Sequence, residues 1–291
     1  MNTKPRECLA PLSHFDKPPS GAVPAGAADC HAHVLGPFEH YPLGRDLSYM
    51  PPPSPLPRYL DMLEQTGMTR GVLVQPSCYG TDNRLVLDAV SAHKGRLRAV
   101  VVIDETITEA EVARMHGAGA RGFRINLLFR GGVPLEAIDR VAAVVRPFGW
   151  HAQLLIDIRT LEDEAVSHRL AALPVPLVFD HMGHFPCELG CDWAGFGTMV
   201  GWAKEGRAWI KVSGGNRVAA PDDIAEGAGG IARHLVQRIP ERLVWGSDWP
   251  HVGFYDVMPD TGHLLNLALA WMGSAKRRIL VDNAATLYDF D

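Results

Sequence analysis

Two histidines stand one residue apart in the segment DCHAHVLGP, at His31 and His33, directly after a short apolar approach. On a strand, positions i and i+2 share a face, so both imidazoles would point the same way. Such a pair can bind a metal, hold an anion or a carbonyl, or pack as hydrogen-bonded core. Near the other end of the chain, WGSDWPH sets Asp248 among aromatic residues, an environment that perturbs a carboxyl pKa and suits a proton acceptor. Between these, polar groups recur where apolar runs stop: Ser77 to Tyr79, then Arg124 and Asn126 with Arg130 beyond. Asp180, His181 and His184 follow, then Ser213, Asn216 and Arg217, and last Ser247 and His251. A lone histidine at a strand end is more often structural, and Arg124 or Arg130 alone could be a surface ion pair. Convergence of so many from separated runs is hard to explain as packing. His14, His40, His93, His116, His168 and His234 fall in arms or helices and read as structural.

The elements that would carry these residues are regular. Strand-like runs fall at 25–31, 71–77, 97–104, 120–128, 150–156, 175–181, 208–214 and 242–248, mostly as continuous apolar stretches of the kind buried on both faces. Helical patterns lie between them, such as LPRYLDMLEQTG ending on Gly67 and TDNRLVLDAVSAHKG ending on Gly95. Eight strands alternating with helices predict an α/β fold, a single-domain (β/α)8 TIM barrel over 25–291. Residues 1–24 are expected to be a proline-rich arm, lying on the domain or partly disordered. An open doubly wound sheet would want a glycine-rich fingerprint after the first strand, where this chain has imidazoles instead. In a barrel the C-terminal strand ends form the active site, which is where the polar groups fall.

The 291 residues carry a formal net charge of -5, with 47% hydrophobic and 21% charged residues. No basic stripe is visible, which argues against a nucleic-acid partner. The longest apolar runs fall far short of the roughly 20 residues of a membrane span, and the N-terminal stretch lacks the apolar segment of a secretory signal. Five cysteines (Cys8, Cys30, Cys78, Cys187, Cys191) form an odd, sparse set that suits a reducing cytoplasm. Cys187 and Cys191 have no second pair to complete a structural zinc site. Oligomeric state is not readable from the chain.

DCHAHVLGP, QPSCYGTDN, FRINLLFR, VFDHMGH, WGSDWPH and the closing NAATLY together resemble the amidohydrolase superfamily. Within it they resemble the branch of 2-pyrone-4,6-dicarboxylate lactonases, sulfomuconolactone hydrolases and related sugar lactonases, from about residue 25 to the C-terminus. That resemblance implies a hydrolase opening a carboxylated lactone ring, 2-pyrone-4,6-dicarboxylate or a close analogue, with a small anionic lactone as its substrate. It implies catalysis by Asp248, His31, His33 and His181, the histidines serving the carbonyl and Asp248 the water proton. It implies substrate binding by Tyr49, Ser77, Arg124, Arg130, Arg217 and His251, with the three arginines as an anion clamp. Two positions depart from the pyrone lactonase pattern: Leu155 stands for a tyrosine and Gly253 for an asparagine. No histidine ends the fifth strand, where metal-dependent members place a ligand, so no cofactor is expected. A divalent metal such as zinc at His31, His33, His181 and Asp248 is the lesser alternative. A sugar-acid lactone isomerase and a metal-dependent decarboxylase of the same superfamily are the alternative activities.

Overall fold

A computed structural model describes residues 5–17 and 19–291. Eight strands form one parallel sheet in sequence order: β1 Ala28–Ala32, β2 Arg70–Val74, β3 Leu97–Val101, β4 Ala120–Asn126, β5 His151–Leu155, β6 Leu177–Phe179, β7 Ala208–Lys211 and β8 Leu243–Val244. Every expected run holds a strand, and the ladders are shorter than the apolar runs. The ring closes past β8 through single backbone bonds. Cys30 N–H donates to Trp245 O at 2.8 Å, Asp248 N–H to His31 O at 2.8 Å, and His33 N–H to Trp249 O at 2.7 Å. This is the closed (β/α)8 barrel that the alternation implied.

Local chemistry explains the helices around it. The helix Leu56–Thr66 stops at Gly67, whose φ of 72° lets its N–H reach the carbonyls of Leu63 and Glu64. The helix Glu109–Ala118 starts at a capping box in which Thr108 and Glu111 satisfy each other's backbone N–H. Phe123, Trp150, Phe179 and Phe196 are fully buried within the shell of helices and strands. Among the described residues, no helix is long and apolar enough to cross a membrane.

Most of the expected N-terminal arm is described; residues 1–4 and Pro18 lie outside the described residues. The described part lies against the domain. Cys8 N–H donates to Met50 O at 2.9 Å and Leu9 N–H to Phe254 O at 3.0 Å, so the arm pins the loop after β1 to the loop after β8. Further along, Ser20 N–H donates to Asn266 Oδ1 at 2.8 Å on the helix Thr261–Met272.

Candidate active site

His31 lies on β1 and His33 just beyond it, and both side chains enter the barrel mouth, almost wholly buried. His33 Nδ1 is 2.7 Å from the carbonyl of Val74, which can only accept, so the ring proton is on Nδ1 and Nε2 is bare. His31 Nε2 lies 3.3 Å from that bare nitrogen. Two lone pairs would repel there, so His31 carries its proton on Nε2 and donates it to His33. Its Nδ1 lies 3.2 Å from Lys211 Nζ, which can only donate, and equally 3.2 Å from Asp180 Oδ1, which can only accept; with the proton on Nε2 it takes the bond from Lys211. Lys211 in turn pairs with Asp180 at 3.2 Å, both with fully buried side chains. The two imidazoles are thus links in one polarised chain from ammonium to backbone carbonyl.

Asp248 completes the centre. Its Oδ1 lies 3.6 Å from His181 Nε2, 3.8 Å from His31 Nε2 and 3.9 Å from His33 Nε2. Its Oδ2 accepts from Arg217 Nε at 2.6 Å, and Arg217 Nη2 donates to Val252 O at 2.8 Å, which fixes the guanidinium. Burial raises the Asp248 pKa, but Arg217 and then His181 and His31 outweigh it and hold the carboxyl far below its ordinary range. Burial acts the other way on the imidazoles, pushing His33 to about 4, His181 to about 3 and His31 well below 6.5. The centre at neutral pH is therefore an ionised carboxylate ringed by neutral imidazoles. Ser213 Oγ, 3.1 Å from His181 Nδ1, can donate there and leave a proton on Nε2 facing Asp248.

The backbone is bent to make this possible. Asp248, His181, His184 and His251 adopt φ between 50° and 62°, which non-glycine residues seldom do, and all four cluster at the mouth. Glycines give the necessary clearance. A Cβ on Gly214 would come within 2.7 Å of the His181 ring, and one on Gly246 within 2.4 Å of His31 Cβ.

Above the centre opens a narrow cleft, lined among others by Tyr49, Ser77, Arg124, Asn126, His184 and Arg217. Of the residues given catalytic or binding roles, most meet here, with His31 just beneath, whereas Arg130 and His251 do not. Arg130 follows the turn that leaves β4; its side chain is 61% exposed, ion-paired with Asp46 at 3.5 Å, and does not line the cleft. His251 is buried behind Asp248, its Nε2 2.8 Å from Thr261 Oγ1, and meets the carboxylate's field rather than the cleft. Arg217 reaches the cleft but spends its Nε on Asp248. Sequence reasoning passed over Lys211 and Gln153, whose Nε2 donates to Asp180 Oδ2 at 3.1 Å. The available signal was polarity inside apolar strands, KV in AWIKVSG and Q in WHAQLLI.

A divalent ion could be held by His31, His33 and Asp248, whose donor atoms lie within 4.8 Å of one another, with His181 beside them. Two resident cations already serve those donors: Arg217 on Asp248 and Lys211 on His31.

The whole barrel, residues 28–290, matches the family model described as amidohydrolase. The chain is 34% identical over 289 residues to the 4-sulfomuconolactone hydrolase of Hydrogenophaga intermedia, covering 97% of this chain and 94% of that one. It is 31% identical over 283 residues to the 2-pyrone-4,6-dicarboxylate hydrolase of Comamonas testosteroni, covering 93% and 92%. Among solved structures, an apo protein of Agrobacterium tumefaciens superposes with a TM-score of 0.84 at 29% identity, covering 94% of this chain and 99% of that one. With the strand-one histidine pair, the strand-six histidine and the aspartate after strand eight meeting at one mouth, the chain belongs to the amidohydrolase family.

Proposed function

We propose that this protein is a lactonase that opens a carboxylated lactone ring by water attack, with 2-pyrone-4,6-dicarboxylate and its close analogues as the ring frame. The observation that carries the reading is Asp248: an ionised carboxylate with one oxygen fixed by Arg217 and the other ringed by three neutral imidazoles. The named activities of the similar hydrolases support the lactone as substrate class.

In this reading Asp248 Oδ1 takes a proton as the water oxygen bonds to the lactone carbonyl carbon. The oxyanion that forms accepts from the Nε2–H of His181. His33, with Nε2 bare, accepts the His31 proton and so fixes that ring; its part is orientation rather than donation. As the ring C–O bond breaks, Asp248 returns its proton to the leaving oxygen, and the product is an open-chain acid. Arg124 receives a substrate carboxylate, for which its planar fork is suited. A divalent ion, were it bound, would polarise the carbonyl or acidify the water. We place the reaction without one, because a further dication beside Arg217 and Lys211 meets their charge repulsion.

The test is loss of ultraviolet absorbance as the conjugated ring of 2-pyrone-4,6-dicarboxylate and its analogues opens. Protein treated with a strong chelator is expected to keep most of that activity. Activity that tracks tightly held zinc by elemental analysis would overturn the metal-free mechanism, and a product that keeps a lactone ring would point to isomerisation.

A further inference from the structure

Two side-chain donors facing the cleft have no hydrogen-bond partner among the described residues. Arg124 Nε and Asn126 Nδ2 are both buried and unsatisfied, two residues apart on β4 and so on one face of the strand. Both residues line the cleft. The rest of each side chain is already committed: Arg124 Nη1 donates to Gln75 O at 3.3 Å, and Asn126 Oδ1 accepts from Leu128 N–H at 3.0 Å. Tyr49 and Ser77 add hydroxyls beside them. Buried donors left open in this way are costly unless something accepts from them. An oxyacid fits them.

The charges around the cleft allow one such group. Lys211 is matched by Asp180 at 3.2 Å and Arg217 by Asp248 at 2.6 Å, while Arg130 stands exposed beside Asp46. Asp180 also lies 3.5 Å from Arg124, but its nearer contact is the ammonium. Of the two arginines that line the cleft, Arg217 is matched by Asp248, so Arg124 is the one left to meet a ligand's charge. The remaining wall is apolar: Phe129, Leu155 and Val252. Leu155 is the register partner of Asn126 on the neighbouring strand, so the apolar wall begins directly beside the anion donors.

We propose that the preferred substrate is a monoanionic lactone, its one carboxylate held by Arg124 and Asn126 and its other substituent apolar, set against Leu155, Phe129 and Val252. A second carboxylate would be buried against that wall with no cation to pair it, which is strongly unfavourable. This inference rests on the lactonase reading for its ring and on the charge balance for its substituents, and the two are tested apart.

Three pyrones on one ring frame separate the charge states: 4-methyl-2-pyrone-6-carboxylate, 2-pyrone-4,6-dicarboxylate and neutral 4,6-dimethyl-2-pyrone. The monoanion is expected to exceed each of the others by about ten-fold or more in kcat/KM. Arg124→Met should remove the advantage over the neutral ring. Leu155→Arg should raise the dianion relative to the monoanion by a similar factor, and Arg130→Met should change that ratio by less than about two-fold. A dianion turned over best, or lost selectively in Arg130→Met, would overturn the proposal, since it would mean that Arg130 swings in. Calorimetric binding of 4-methylpyridine-2-carboxylate against pyridine-2,4-dicarboxylate repeats the comparison without chemistry. Tighter binding of the monoanion, with no lactone hydrolysed, would sink the lactonase reading and leave the charge assignment standing; tighter binding of the dianion would sink the charge assignment.

Discussion

With Arg217 Nε 2.6 Å from Oδ2 and three imidazole nitrogens around Oδ1, Asp248 stays ionised at any pH where ordinary carboxyl groups are beginning to titrate. Its folded pKa is depressed, so the reactive form is present throughout the working range, and lowering the pH towards 5 should bring no acid limb from this group. Arg217→Met removes the largest force that opposes burial, and the Asp248 pKa must rise. An acid limb is then expected to enter the kcat profile below about pH 6, where the parent stays flat. Identical profiles for the two proteins would mean that Asp248 is not the base. Asp248→Asn keeps the shape and the contact with Arg217 but removes the basic oxygen. It should bind substrate nearly as well while kcat falls by about a hundred-fold or more. Near-normal turnover by that variant would end the mechanism.

At the scale of single elements, the site depends on how closely the strand ends approach one another. Gly214, just past β7, has φ of 66° and no room for a side chain beside the His181 ring. Gly214→Ala carries both the left-handed strain and the clash, so His181 is expected to shift from its place near Asp248. That should cost kcat more than KM, by ten-fold or more, because a donor aimed at the developing oxyanion is misplaced while Arg124 is untouched. A variant losing KM alone would mean that His181 serves binding. Such dependence also explains what the sequence could and could not show. Apolar runs ending in polar residues marked all eight strands; alternation sends His31 and His33 to one mouth, and His181 and Asp248, legible as polar groups just past their strands, reach it through left-handed backbone. Arg130 misled because the turn after Asn126 is not periodic, and nothing in FRINLLFR says that the chain carries this arginine outward to Asp46. Lys211 was hidden for the opposite reason. A lysine in an apolar strand reads as an edge or an accident until Asp180, 31 positions earlier, is seen 3.2 Å away.

Over the whole molecule, the barrel interior stores titratable groups in states that the unfolded chain would not keep. His31, His33, His151, His181 and His251 are all buried, and burial holds their pKa values below the ordinary 6.5, to about 4 for His33 and His251 and about 3 for His151 and His181. Unfolded, each would bind a proton as the pH falls through about 6.5. Below that pH the unfolded state holds more protons, so the stability these five contribute is complete above 6.5 and lost as the pH drops. Asp29 works against them. Burial raises its pKa to about 6 despite hydrogen bonds from Ser247, His31 and Tyr59, so its contribution is lost as the pH rises through 6. The histidines outnumber Asp29, so unfolding takes up protons and stability should fall as the pH drops below about 6.5. His151 isolates the effect, because it begins β5 at the end of the barrel away from the cleft and neither ring nitrogen has a partner. His151→Leu should leave turnover intact and lower the slope of unfolding free energy against pH by about 1.4 kcal/mol per unit. It should also be more stable than the parent at pH 5, since no unsatisfied imidazole remains to be buried. Urea unfolding at half-unit steps from pH 5 to 7 measures both quantities. An unchanged slope would show that His151 is already protonated in the folded barrel, and the interior would then hold its charge by a route other than exclusion.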